Sequence, residues 1–407
     1  MQPSDHYVII SADTHAGGSH EQYREYLDPQ YRQAFDDWRG AYKNPFKDLK
    51  DTDLRIRNWD SEVRDGQQNA DGIVGEVIFP NTVPPFFPNF VLFAQPPTAD
   101  EYELRHAGVQ AHNRWMADFV SEKPAARAGI GQIFTNDVDD AVADAIWCKE
   151  HGLRGGILVS AVPPTCDWIA PLHDPVYDPL WKVCEELEIP VNSHSGTGGP
   201  RYPKSPATPL VHMAEMIFYS QRPLVHLILG GVFERFPNLQ FVITEAGCHW
   251  VPGVLDQLDM MLGNIRGNET GEMRLPTEMV PPRSAREYFE QSCHVGMSQP
   301  RPVDMNTALT QIGLDRVMWG SDYPHEEGTH PYTTEHLRQV TPGMTPEQIQ
   351  QFLAGNAAEL YGFDIEALRP AAEEFGPTVA EVATPLTELP ADANQALTRA
   401  AKELATA

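Results

Sequence analysis

Two textures of hydrophobic and polar positions alternate along the 407 residues. Short, nearly continuous apolar runs rich in Val, Ile and Phe fall at 8–13, 73–80, 128–134, 155–160, 189–194, 239–245, 289–295 and 316–321. Longer stretches with helical spacing lie between them, such as 137–151 and 176–188. Apolar runs that do not alternate with polar residues are expected of strands in a parallel sheet covered on both faces. Eight of them interleaved with helices predict an α/β chain folded as a (β/α)8 TIM barrel. No Walker A motif and no strand-linked G-x-G-x-x-G is present, which disfavours a nucleotide-binding open sheet. Local signals agree. Asn136-Asp137 opens one helix and His151-Gly152 closes it, and Thr345-Pro346-Glu347 opens another with proline in its first turn.

Three stretches exceed a minimal barrel. Residues 20–70 are charged and aromatic, 80–98 are rich in proline and phenylalanine, and 196–210 are rich in glycine and proline. Each follows a strand, so each is expected on the C-terminal face of the barrel, where active sites form. The barrel is assigned to 1–365, with 20–70 as a helical lid inserted after the first strand. The tail, 366–407, is expected to be partly helical. Its end, ADANQALTRAAKELATA, reads as a capped helix that either docks on a neighbouring subunit or frays.

Composition then removes whole classes of function. The chain carries 30 Lys+Arg against 57 Asp+Glu, a formal charge of −27. Such a surface repels nucleic-acid phosphates and anionic membranes. No apolar run approaches the roughly 18 residues that span a bilayer, and the N-terminus lacks the basic start of a signal peptide. The five cysteines form no C-x-x-C pair, which suggests reduced thiols and a cytoplasmic protein. The expected partner is a small molecule.

Chemistry concentrates where the runs end. The first ends in Asp13-Thr14-His15, whose two outer residues share one face of an extended strand. The fifth ends in His194. The sixth ends in Glu245, with His249 four residues on. The seventh ends near His294. The eighth leads into Asp322, with His325 three residues on. Imidazoles and carboxylates gathered at one barrel mouth form a divalent-metal constellation that suits zinc or manganese. The remaining histidines fall at surface, loop or helix positions.

With these residues in place, the sequence resembles the amidohydrolase superfamily, in the branch typified by aminocarboxymuconate semialdehyde decarboxylase. The resemblance is carried by Asp13-Thr14-His15, by Val191-Asn192-Ser193-His194 and by the Gly-Gly-Val-Phe-Glu-Arg-Phe-Pro block starting at Gly230. The Trp-Gly-Ser-Asp-Tyr-Pro-His block starting at Trp319 and the segment Gly355 to Gly362 complete it. It implies a (β/α)8 barrel holding one divalent ion, zinc first and manganese second, on Asp13, His15, His194 and Asp322. The fourth run, Gly156 to Ser160, lacks the Lys or Glu that bridges two metals in other members, so a single ion is expected. The long tail and the family also imply a homodimer. In one respect the chain departs from the branch: many of its decarboxylases carry a catalytic histidine at the end of the sixth strand, and here Glu245 stands there.

Two reactions fit such a site. In hydrolysis, a metal lowers the pKa of bound water towards about 7, and Asp322 takes the water proton and returns it to the leaving group. In non-oxidative decarboxylation, Asp322, His249 or Glu245 protonates the carbon that loses carbon dioxide. The missing histidine places hydrolysis first and decarboxylation second. A barrel that binds a ligand without catalysis is the third reading. For the substrate, Phe79, Phe86, Phe87 and Phe90 suggest an apolar or aromatic body. Arg201 and Lys204 suggest a carboxylate, and His294 and His325 are further contacts.

Overall fold

The computed structural model describes residues 5–43, 55–89 and 94–405. Eight strands run in one parallel sheet in sequence order, β1 (Ile10–Ala16), β2 (Gly75–Pro80), β3 (Arg127–Gln132), β4 (Gly156–Leu158), β5 (Val191–His194), β6 (Phe241–Thr244), β7 (Cys293–Ser298) and β8 (Val317–Gly320). Backbone bonds just past β8 bring it back to β1. His15 N–H donates to the Tyr323 carbonyl at 2.7 Å, and Asp322 N–H donates to the Asp13 carbonyl at 2.9 Å. The barrel is therefore nearly closed, as the run pattern predicts. Closure uses the residues expected to carry the chemistry.

The helices follow the strands. The segment after β1 contains α1 (His20–Tyr26), α2 (Arg32–Ala41) and α3 (Ser61–Ala70). Then come α4 (Ala99–Ser121), α5 (Val138–Glu150), α6 (Asp178–Glu186) and α7 (Thr208–Leu229). Asp137 caps α5 through the N–H groups of Asp139 and Asp140, the start signal seen in the sequence. The sheet residues separate into two packing faces. Ile78, Ile157, Val191 and Ile243 pack outward against the helices. Val77, Phe79, Ile130, Leu158, Val242 and Met318 fill the barrel interior. At the barrel floor, the Tyr361 hydroxyl donates to Asn192 Oδ1 at 2.9 Å, and Asn356 Nδ2 donates to the Val317 carbonyl at 2.6 Å. The Gly355–Gly362 segment thus ties the chain beyond β8 to the floor ends of β5 and β8.

One strand lies elsewhere than expected. The run 289–295 is split: a capping box at Ser284 starts a helix over Ala285–Ser292, and β7 begins only at Cys293. Tyr288 and Phe289 are apolar because they form the buried face of that helix. The insertion is also less detached than a lid need be. In α3, the buried Arg64 donates to the His15 carbonyl at 2.7 Å and to both oxygens of the buried Glu76 on β2. Leu27 and Phe35 pack with Phe86, Ala107 and Ala111 into a small core between the insertion and α4. At the other end of the chain, a helix over Gln395–Leu404 buries Ala396, Leu397 and Ala400. No described helix is long and apolar enough to cross a membrane. The five cysteines are free and buried.

Candidate metal centre

Asp13 and His15 lie on β1, on either side of Thr14, and point to the barrel interior. Thr14 points outward and its hydroxyl donates to Glu76 Oε2. His194 ends β5, and Asp322 follows β8. All four are fully buried. Asp13 Oδ1 lies 3.3 Å from His15 Nε2 and 3.5 Å from His194 Nε2, and Asp322 Oδ1 lies 3.3 Å from His15 Nε2. Gly320 allows this approach: a Cβ there would sit 2.8 Å from the Asp13 Cβ.

Hydrogen bonding aims the donors inward. His194 Nδ1 donates to the Ser195 carbonyl at 3.0 Å, and His15 Nδ1 reaches the Pro80 carbonyl at 3.5 Å. These bonds leave each Nε2 lone pair directed at the centre. Ser298, at the end of β7, donates to Asp13 Oδ2, and Gln299 Nε2 donates to Asp322 Oδ2 at 2.7 Å. What remains is a set of buried polar atoms without hydrogen-bond partners: Asp13 Oδ1, His15 Nε2 and His194 Nε2. Orphaned buried polar atoms are costly. Here they converge within 4.8 Å of one another. Asp322 shares a second such group with His15 and His325. Imidazole nitrogens and carboxylate oxygens gathered in this way fit a divalent cation.

Electrostatics agree. Burial acts to lower the His194 pKa, but Asp13 and Glu245 overcome it and raise the pKa to about 9. The carboxylates therefore demand a positive charge, which a proton supplies when no ion does. Burial lowers the pKa of His15, assisted by the positive charge of His325. Burial opposes ionisation of Asp322, yet His325 and His15 hold its carboxyl well below the usual carboxylate range.

Glu245 and His325 join the same group. Glu245 adopts a left-handed backbone, φ 61°, and its Oε2 lies 3.4 Å from His194 Nδ1. Burial, reinforced by the Asp322 charge, raises its pKa to about 8. His325 stacks on His15 with ring centroids 4.2 Å apart. Its Nδ1 donates to Asp322 Oδ1 at 2.7 Å and its Nε2 to Asn81 Oδ1 at 3.2 Å. Both ring nitrogens face acceptors, as an imidazolium requires. Burial opposes that charge, but Asp322 and Glu245 raise the pKa to about 10.

The other sequence candidates lie apart from this group. His294 sits in the first half of β7, paired with Val242, and bonds Gln240 Oε1 at 3.1 Å at the opposite end of the barrel. Its expected role came from the displaced seventh run; the residues at the true end of β7 are Ser298 and Gln299. The ring of His249 turns to Asp304 Oδ1, 2.9 Å from Nδ1, and to Arg301, not to Glu245. Phe86 packs against Phe35 and Trp38. Phe79 stands over His194 at 4.7 Å between centroids, and Phe90 lies outside the described residues. Arg201 and Lys204 are exposed. The sequence reasoning missed Asn81, Ser298 and Gln299, each at the mouth-side end of a strand.

With fold and site in view, comparison with known proteins is direct. A family model described as amidohydrolase matches residues 52–363, and the chain belongs to that family. The 2-amino-3-carboxymuconate-6-semialdehyde decarboxylase of Dictyostelium discoideum is 26% identical over 317 residues, 75% of this chain and 77% of that protein. The gamma-resorcylate decarboxylase of a Rhizobium species is 23% identical over 229 residues, 54% of this chain and 66% of that one. Among solved structures, a Polaromonas dihydroxybenzoic acid decarboxylase with bound manganese and 2-nitroresorcinol superposes with a TM-score of 0.60. It is 17% identical, over 88% of this chain and 97% of its own. The 5-carboxyvanillate decarboxylase of Novosphingobium aromaticivorans, complexed with manganese and 4-hydroxy-3-methoxy-5-nitrobenzoic acid, gives 0.62 at 18% identity over 88% and 97%. The fold is shared with both.

Proposed function

We propose that the protein is a metal-dependent carboxy-lyase that removes carbon dioxide from an aromatic or unsaturated carboxylic acid without an oxidant. The observation that carries the reading is the convergence of orphaned donors on Asp13, His15 and His194 beside a protonatable Glu245, in a chain whose curated relatives are decarboxylases. This reverses the order expected from the sequence, where the missing histidine after β6 placed hydrolysis first. Glu245, with its Oε2 3.4 Å from His194 Nδ1 and its pKa raised by burial and by the Asp322 charge, stands where a histidine would otherwise carry the proton.

Asp13, His15, His194 and Asp322 would hold one divalent ion. Manganese bound in two structural relatives supports naming it as a candidate beside zinc. When bound, the ion supplies a fixed positive charge that orients an acidic group and stabilises negative charge developing next to it. In this reading the chain's own groups do the rest. Glu245 delivers its proton to the ring or alkene carbon that bears the carboxylate. That carbon–carboxylate bond then breaks, its electron pair returns to the π system, and carbon dioxide leaves. His325 stays charged and keeps Asp322 anionic through the 2.7 Å bond. Phe79, tilted against the His194 ring, bounds the apolar side of the mouth.

The test is carbon dioxide release from a panel of hydroxybenzoic and unsaturated dicarboxylic acids by zinc- or manganese-loaded protein. One acid should give stoichiometric carbon dioxide. Glu245→Gln should lower that rate by about 10²–10⁴-fold with metal content unchanged. A rate like that of the wild type in this variant would remove Glu245 as the proton donor. Ester or amide cleavage with no carbon dioxide from any acid would return the assignment to hydrolysis.

The same reading includes a homodimer and a small-molecule partner. Leu210, Met213 and Phe218 of α7 are 70%, 68% and 58% exposed. Large apolar side chains grouped along one helix support burial against a second copy.

A further inference from the structure

The C-terminal tail lies beyond the residues that the family model matches, yet it reaches the loops that carry the metal group. The helix over Gln395–Leu404 packs within its own chain, against the helices over Pro302–Thr307 and Thr333–Val340. Those two helices follow β7 and β8. Ala396, Leu397 and Ala400 form the buried face, and a polar residue at either end makes the specific contacts.

At the start of the helix, Asn394 has two tasks. Its Oδ1 accepts from the Leu397 N–H at 3.0 Å and so caps the helix. Its Nδ2 faces three carbonyls of the loop after β8, those of Gly328 at 2.9 Å, Thr329 at 2.8 Å and His330 at 3.1 Å. That loop contains Asp322 and His325 and is folded tightly on itself. His325 N–H donates to the Asp322 carbonyl at 2.9 Å, Gly328 N–H to the His325 carbonyl at 3.1 Å, and Thr329 N–H to the Ser321 carbonyl at 2.9 Å. A Cβ on Gly328 would lie 2.7 Å from the Ser321 carbonyl oxygen and 3.1 Å from that of Asp322. Asn394 is thus bonded to the turn that presents Asp322 and His325.

At the other end, Glu403 holds the loop after β7. Its Oε1 accepts from the Val303 N–H at 2.6 Å, and its Oε2 lies 3.9 Å from Arg301 Nη1. Two residues before Arg301, Gln299 donates to Asp322 Oδ2 at 2.7 Å. Arg301 donates in turn to Asp304 Oδ2 at 3.2 Å, and Asp304 Oδ1 collects the backbone N–H groups of Cys248 and His249 after β6. Gly247, at φ 61°, allows that approach, since a Cβ there would lie 2.8 Å from Asp304 Oδ1. Glu245 stands two residues before Gly247. One helix therefore braces the loops after β6, β7 and β8, which carry Glu245, Gln299, Asp322 and His325.

We propose that the C-terminal helix is a positioning element for the metal centre, with Asn394 and Glu403 as its two anchors. Neither residue touches the ion or the substrate. Each acts through the backbone of the loop it holds, and together they fix the direction of the Asp322 carboxylate. A loop already held in its binding shape loses less conformational entropy when an ion arrives, so the brace raises affinity. The proposal rests on the metal-centre reading of the site and not on the choice of reaction.

Asn394→Asp separates the anchor from the cap, because a carboxylate still caps the helix but offers the three carbonyls no donor. Two readouts test it on the full chain, well below the unfolding temperature. The first is hydrogen exchange followed by mass spectrometry on chelator-treated protein. Peptides spanning 317–332 should exchange about tenfold faster than in the wild type, and peptides spanning 127–132 of β3 should be unchanged. The second is manganese and zinc affinity by competition with a chelator. It should weaken by about tenfold, a change that a helix serving only global stability would not produce. Glu403→Gln, which keeps an acceptor for Val303, should match the wild type, and Glu403→Ala should weaken metal binding as Asn394→Asp does. Unchanged exchange in 317–332, an acceleration that extends equally to β3, or wild-type metal affinity in both Asn394→Asp and Glu403→Ala would overturn the proposal. If the wild type binds neither metal, the metal-centre reading falls, and faster exchange confined to 317–332 in Asn394→Asp still upholds the brace.

Discussion

At the scale of single residues, the account rests on Asp322. It is held ionised by two imidazoles, bonded by Gln299, and tied through its backbone N–H to Asp13. Asp322→Asn keeps the shape but loses the charge that His15 and His325 face. Turnover should fall by about 10²–10⁴-fold, and thermal unfolding should still be cooperative; near-normal turnover would remove Asp322 from the mechanism. The four proposed ligands were legible in the sequence because each stands at the mouth-side end of an apolar run. Ser298 and Gln299 were not, because the apolar residues Tyr288 and Phe289 of a preceding helix ran into the strand and moved its apparent end. His294 was misplaced for the same reason. Asn81 ends its run correctly, but an isolated asparagine carries no periodic signal.

At the scale of elements, the insertion joins the site by wiring. Arg64 on α3 links the His15 carbonyl of β1 to Glu76 of β2, with Gln68 Nε2 on the same carboxylate at 3.0 Å. No spacing rule in the sequence connects residues 64 and 76 across two elements, so charge alone did not reveal this pair. Burial would raise the Glu76 pKa, but Arg64 and Arg127 lower it from 4.5 to about 2. A carboxyl depressed in the folded state stabilises the fold fully above about pH 4.5 and loses that contribution as pH falls through about 2. The shift corresponds to about 3 kcal/mol. Glu76→Gln should therefore lower stability at pH 7 by about 3–5 kcal/mol, since it leaves the buried Arg64 guanidinium without its counter-ion, while Arg127 keeps Asp65. The gap to the wild type should narrow between pH 4.5 and 2 in urea titrations. A gap independent of pH would contradict this role. Gly320 makes a similar point for β8. Gly320→Ala would push against the Asp13 Cβ, and metal affinity should drop by about 10–100-fold in a competition assay with a chromogenic chelator.

At the scale of the whole molecule, the barrel was legible because eight short apolar runs recur between longer segments of helical spacing. The particular bonds that close it were not. They join β1 to the residues just past β8, more than 300 positions apart, which only the folded chain brings together. The exposed apolar residues on α7 make the proposed dimer testable. Light scattering at micromolar concentration should report a dimer, and Leu210→Glu with Met213→Glu should yield the monomer; a monomeric wild type would contradict it. Above all, the orphaned donors of Asp13, His15 and His194, with Asp322, are proposed to hold one divalent ion. This is checked by plasma mass spectrometry on protein purified without chelator and dialysed against zinc or manganese. About one ion per chain is expected in the wild type, with a large loss in His194→Ala. A wild-type protein that retains neither metal, or a variant with undiminished content, would contradict it.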